Sequence, residues 1–144
     1  MAAYRILVPT DFSPCSDTAL TLAIALAKGR EVAEIVLLHV VEASVPAYDE
    51  ELGVLEPEAL RTKMQLLAAQ KVNRVAMHTK LVHGDPRIEI VAAATELESD
   101  VIVMGSHGHH PLVQLLVGST AEAVLRGASC PVLTVRDNSV VATA

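Results

Sequence analysis

Five short apolar runs, separated by segments with helical spacing, constrain this chain more than any other feature. The runs are YRILVPT, EIVLLHVV, VAMHTKLVHG, DVIVMG and CPVLTVR. The first is closed by Pro9 and followed by SPCSDTALTLAIALAKG, in which Leu20, Ala23, Ile24 and Ala27 fall on one helical face. Ser13 suits the cap of that helix, Pro14 its first position and Gly29 its end. Pro57 opens a second helix with Leu60, Met64 and Leu67 at helical spacing, Pro86 a third running to about Glu98, and Ser119 to Arg126 form a fourth. Strand and helix in alternation predict a parallel sheet with right-handed crossovers and helices on both faces.

The composition agrees with such a sheet. Apolar residues make up 51% of the 144, yet aromatics contribute only two Tyr and one Phe, so Val, Ile, Leu and Ala must fill the interior. EIVLLHVV is apolar almost throughout, as expected of a strand covered on both sides. The length suits one core, and we read a domain over residues 1–137 with a flexible tail at 138–144. Eleven basic against seventeen acidic side chains give a net charge of −6 with no basic block, which argues against nucleic-acid or anionic-membrane surfaces. The opening MAAYRILVPTDF is too short in apolar residues for a signal peptide or membrane span, and two cysteines make no disulfide framework. A cytoplasmic protein is the default expectation.

Ligands of open parallel sheets sit beyond the carboxyl ends of the strands, where strand order reverses. Gly105 and Gly108 directly follow the fourth run, and nine residues later Gly118 and Ser119 open a helix. The glycines allow close backbone approach, so that successive N–H groups can face a phosphate, and the helix start adds unpaired N–H groups and the positive end of its dipole. Between Asp100 and Leu125 there is no Lys or Arg. Backbone dipoles would therefore have to meet the charge of any phosphate.

The spacing G-x2-G-x9-G-S, with PTDFS after the first run, LLHVVE at the second and the GDP turn at Gly84 to Pro86, resembles the universal stress protein family of the ATP-binding type. The resemblance runs from about Tyr4 to Arg136. It implies an adenine-nucleotide alpha-hydrolase-like, Rossmann-like α/β fold: a single five-stranded parallel sheet with helices on both faces. It also implies that Asp11 contacts ribose, that backbone groups near Pro9, Thr10 and Val40 contact adenine, and that two clusters hold the phosphates of ATP. These are Met104, Gly105, Ser106, His107, Gly108 and His109, and then Gly118, Ser119 and Thr120. Such members commonly form homodimers by pairing their last strands, here Pro131 to Arg136, and bind protein partners that the sequence does not identify. The chain departs from the pattern at His109 and His110, where many relatives carry Lys or Arg. Protonated imidazole there would strengthen phosphate binding at lower pH.

Several of these residues have simpler roles. Asp11 suits a turn ahead of the helix at Pro14, and Ser119 with Glu122 forms the capping box STAE. His39 reads as a hydrogen-bonded histidine on an apolar strand, and Cys15 and Cys130 as packing or surface residues. His107, His109 and His110 lack a nearby Cys or carboxylate, so magnesium carried by the nucleotide is the metal expected rather than a protein site. The acidic connection from Glu42 to Glu56 reads as solvated, with a lid over the nucleotide as the alternative.

The leading reading is a nucleotide-responsive regulatory module of the stress response. A hydrolase on the same sheet would need charge clamps, but no Walker-type lysine motif is present and only Asp11 and the loop histidines offer proton chemistry. No catalytic residue is assigned, and hydrolysis is expected to be slow at most. A nucleotide-free dimerisation or signalling module is the other alternative; in its phospho-receiver version Asp11 would stand without the needed acidic partner.

Overall fold

The computed structural model describes residues 3–42, 48–49, 53–54, 56–70, 75–107 and 117–136. Its main elements follow the order β1 (Tyr4–Pro9), α1 (Pro14–Lys28), β2 (Ala33–Val41), β3 (Tyr48–Asp49), β4 (Gly53–Val54), α2 (Pro57–Gln70), β5 (Ala76–His83), α3 (Pro86–Glu96), β6 (Val101–Gly105), α4 (Ser119–Gly127) and β7 (Val132–Val135). β5, β2, β1, β6 and β7 lie side by side in that order, every pair parallel. The five-stranded parallel sheet expected from the apolar runs is therefore present. Its strand order reverses at β1, which has β2 on one side and β6 on the other.

Alternation along the strands divides the core into two halves. Ile6, Val8, Ile35, Leu37, Val101 and Val103 face one way and pack with Ala19, Leu20, Ala23, Ile24 and Ala27 of α1 and Met64 of α2. Leu7, Val36, Leu38, Ile102 and Met104 face the other way and meet Ile90, Ala93 and Ala94 of α3 and Ala121 and Val124 of α4. Ile6, Leu7, Ile35, Leu37, Leu38 and Ile102 are all fully or almost fully removed from solvent, each contributing about 2 kcal/mol of hydrophobic stabilisation. Small Ala side chains on α1 and α3 let helix backbones approach the sheet. This is how a chain with three aromatic residues fills its interior.

The helix ends follow local rules. Ser13 caps α1 by accepting from Ser16 N–H, with Pro14 at the first position, and Asp85 caps α3 by accepting from Arg87 N–H. α3 stops at Glu96, two residues before the expected end, because Leu97 caps it and Glu98 turns to φ 51°. At the amino ends of the strands Arg5 ties three segments together: its Nε lies 2.6 Å from Glu34 Oε1, its Nη1 donates to Leu97 O at 2.8 Å, and its backbone N–H donates to Asp100 Oδ2 at 2.8 Å.

One part of the acidic connection differs from the plain loop read in the sequence. Tyr48–Asp49 pairs antiparallel with Gly53–Val54. Strands of two residues carry no hydrophobic period, so the sequence offers no signal for them. The rest of the lid reading, and the tail at 138–144, lie outside the described residues.

Candidate functional site

The carboxyl ends of β1 and β6 are neighbours at the point where strand order reverses, and each leads into one of the expected site segments. From β1 the chain continues through Thr10, Asp11, Phe12 and Ser13 into α1. From β6 it continues through Ser106 and His107 and returns at Gly118 into α4.

The β1 bank is a saturated network of hydroxyl and backbone groups. Thr10 N–H donates to Leu38 O at 2.8 Å, extending the β1–β2 ladder by one residue. Thr10 Oγ1 accepts from Phe12 N–H at 3.0 Å and lies 3.1 Å from Ser16 Oγ. Ser16 Oγ donates its single proton to Ser13 O at 2.9 Å and accepts from Ser13 Oγ at 3.3 Å. The Thr10–Ser16 proton must then come from Thr10, which leaves each hydroxyl with its one donor used. All three hydroxyl residues are buried, and a buried network of this kind is stable only when every member is satisfied. Asp11 Oδ1 accepts from Ser13 N–H at 3.0 Å, so the turn role read in the sequence is present.

Phe12 has φ 65°, a left-handed conformation that is unusual for a bulky residue and needs surrounding contacts to hold it. Two are present: the His39 ring, with centroids 4.8 Å apart at 45°, and the Lys63 ammonium 4.6 Å from the ring centre. His39 Nδ1 lies 2.7 Å from Thr10 O. A carbonyl only accepts, so Nδ1 carries the proton and Nε2 is the basic nitrogen. Burial pushes the pKa of His39 down, against the smaller raising effects of the Thr10 hydrogen bond and of Asp11. His39 is thus the hydrogen-bonded histidine expected, but its partner belongs to the candidate site. Sequence spacing could not show this, since 29 residues separate the two.

On the outer side of this turn, Thr10, Phe12, Ser13, Pro14, Asp17, Lys63, Leu66 and Leu67 line a mainly apolar depression of about 490 Å³ between α1 and α2.

The β6 bank depends on close backbone approach. A Cβ on Gly105 would come within 3.0 Å of both the carbonyl carbon and Sγ of Cys15, and one on Gly118 within 3.0 Å of Ser106 O. Cys15 is buried here, its Sγ donating to Val135 O at 2.9 Å and lying 3.9 Å from Ser106 Oγ. Gly118 N–H donates to Ser106 O at 2.6 Å. The two glycine clusters, far apart in sequence terms for so short a contact, are therefore joined directly.

That junction modifies two expectations. Ser106 N–H donates to Val135 O at 2.8 Å, so it belongs to the sheet ladder and not to a nest of N–H groups open to a phosphate; Gly118 N–H is likewise engaged. The capping box at Ser119 is also absent. Gly118 takes the cap position without a side-chain bond, Glu122 N–H donates to Gly118 O at 2.9 Å, and Glu122 Oε1 pairs with Arg126 at 2.9 Å. A Cβ at the cap would sit 3.0 Å from Ser106 O, so any larger residue there requires that carbonyl to give by a few tenths of an ångström. The groups positioned to meet an anion are the N–H groups of Ser119, Thr120 and Ala121, which have no intrahelical acceptor, with the Ser119 and Thr120 hydroxyls.

Of the remaining expected residues, Pro9 ends β1, Val40 lies near the end of β2, and Met104 is buried in the core between the sheet, α3 and α4. His107 Nδ1 lies 3.0 Å from Ser106 Oγ. Gly108, His109 and His110 lie outside the described residues. Among the described residues no three His, Cys, Asp or Glu side chains converge as metal ligands, and no helix is long and apolar enough to cross a membrane.

A parallel sheet whose order reverses at β1, with a polar turn after β1 and a pair of joined glycine segments after β6, defines an α/β domain of the class that binds ligands at such a switch point. The chain belongs to the universal stress protein family, whose model matches residues 3–136. Universal stress protein MJ0531 of Methanocaldococcus jannaschii is 38% identical over 142 residues, covering 92% of this chain and 81% of that protein. The solved structure of MJ0577 from the same organism superimposes with a TM-score of 0.77 at 29% identity, covering 94% of this chain and 97% of that one. A universal stress protein family member from Arabidopsis thaliana, solved with AMP bound, shares the fold at a TM-score of 0.61 and 23% identity over 94% of this chain and 93% of its own.

Proposed function

We propose that the chain binds ATP in the crevice between the ends of β1 and β6 and serves as a nucleotide-responsive regulatory module of the stress response. The observation that carries this reading is the Gly118–Ser106 hydrogen bond of 2.6 Å, which brings the amino terminus of α4 to the end of β6, the strand next to β1. An anion at that helix start meets three N–H groups and a favourable dipole, worth about 0.3–1 kcal/mol before desolvation, without any lysine. The AMP held by the Arabidopsis fold-mate supports adenine nucleotide as the ligand class.

In this reading Asp11 meets the ribose, backbone groups at Pro9, Thr10 and Val40 meet the base, and Ser119 and Thr120 meet phosphate. Met104 and Gly105 shape the floor of the crevice. Ser106, His107, Gly108 and His109 complete the phosphate side, and magnesium arrives with the nucleotide. The working form is a cytoplasmic homodimer joined through Pro131 to Arg136. Support for that pairing comes from β7 being the edge of the sheet, with Leu133 39% exposed on it. The nucleotide is a signal that alters protein–protein contacts, and turnover is slow.

The test is titration calorimetry of nucleotide-stripped protein with ATP·Mg, together with mass analysis of any nucleotide that co-purifies. Saturable binding at micromolar to millimolar ATP is the expected result; no heat and no retained nucleotide would remove the proposal.

A further inference from the structure

Every polar group of Thr10 is engaged, and two of its partners come from β2. The N–H is held by Leu38, the hydroxyl by Phe12 and Ser16, and the carbonyl by His39. His39 acts on this turn twice, since the same ring that donates to Thr10 O packs against Phe12 in its left-handed conformation. Asp11 lies between the two residues that His39 touches. The orientation of its peptide, and hence of its carboxylate, is set from both sides by one imidazole.

We propose that His39 is the positioning residue of the adenosine half of the site: it fixes the Thr10–Phe12 turn by the Nδ1–H to carbonyl bond and by ring contact, and so presents Asp11 to the ribose. This rests on the nucleotide reading above and deepens it. His39 does not itself touch the ligand. The bond requires the Nδ1–H tautomer, which is the less common form of a solvated histidine, so the tautomer is a signature of the arrangement. Protonation adds charge at Nε2. Burial opposes that charge most, the Thr10 hydrogen bond, Asp11 and Glu42 favour it, and Lys63 opposes it. The Nδ1–H to carbonyl bond strengthens on protonation, but burial outweighs it, so a charged ring favours leaving its place and acid loosens the turn by that displacement; phosphate contacts mediated by imidazolium elsewhere in the site would tighten with acid. A ligand without phosphate separates the two effects.

The experiment compares wild type, His39→Asn and His39→Leu. An Asn amide nitrogen falls near the place of Nδ1 and restores the donor; Leu removes it. Calorimetry with ATP·Mg at pH 7.5 should show about tenfold weaker binding for His39→Leu and recovery to within about threefold for His39→Asn, a ratio corresponding to ~1.4 kcal/mol for the full loss. With adenosine as ligand, wild-type affinity should fall between pH 7.5 and pH 5.5 while that of His39→Asn stays level. Nitrogen-15 spectra of nucleotide-free protein should show His39 protonated at Nδ1 and bare at Nε2. An Nε2–H tautomer, or His39→Leu binding ATP as wild type does, overturns the positioning role alone. Equal loss in both variants overturns the hydrogen-bond role, and a wild type that binds no ATP overturns the functional reading together with it. If His39→Leu does not fold, the tautomer and the Asn variant's pH profile decide.

Discussion

The two banks of the crevice solve the same problem, holding a chain turn at the end of a strand, by opposite means. The β1 bank uses side chains: Thr10, Asp11, Ser13, Ser16 and His39 each have a specific hydrogen-bond partner. The β6 bank uses the lack of side chains: Gly105 lies against Cys15 and Gly118 against Ser106, and the bonds that tie Ser106 to Gly118 and to Val135 are backbone to backbone. The first bank should resist added volume poorly only where it is buried, but fail when a polar atom is removed. The second should tolerate polar changes nearby and fail when a single carbon is added.

Gly105→Ala is the strongest way to break that comparison. The new Cβ meets the Cys15 backbone as well as its side chain, so α1 or β6 must shift, and a loss of about 3 kcal/mol is expected in urea unfolding. An Ala variant as stable as wild type would show that the β6 bank is not defined by close approach. On the other bank, Thr10→Val keeps the volume but strands Phe12 N–H and one Ser16 lone pair in a buried place, and about 2 kcal/mol should be lost by the same measurement. Thr10→Ser, which keeps the hydroxyl, should recover most of it. The smallest effect is the proton linkage of His39. Its folded pKa lies below the usual value near 6.5, so between the two the unfolded chain binds more protons and stability increases with pH. The contribution is complete above about pH 6.5 and is lost as pH falls through the folded value. Urea midpoints at pH 8, 6 and 5 should therefore decline more in wild type than in His39→Asn; parallel curves would contradict the assignment.

What could be read from residues alone follows from the range of the interaction involved. Strands such as Ile35–Leu38 and Val101–Met104 are buried on both faces and are therefore nearly continuous in apolar side chains, a signal local to a few residues. Ser13, Pro14 and Pro86 act within one helical turn, and their roles were equally plain. An order reversal in a parallel sheet was legible too, and it makes β1 and β6, which lead to Asp11 and to the glycine segments, neighbours. The cap of α4 was not legible. Ser119 and Glu122 satisfy the local rule, but the cap is Gly118, held by its N–H bond to Ser106 O within the β6 bank. The same holds for Ser106 N–H, which joins the ladder to Val135, and for His39, whose partner is set by the pairing of β2 with β1. In each case a long-range contact overrides a local preference.

The Gly118–Ser106 bond has one more consequence, for how such a domain can change over time. It fixes the two ends of the segment between them at the crevice, whatever that segment's own composition. A closed loop grows more costly only with the logarithm of its length, about 0.6 kcal/mol for each doubling. Lengthening the chain between Ser106 and Gly118 therefore adds to the closure cost only slowly, while the bonded ends preserve the geometry on which a ligand would depend.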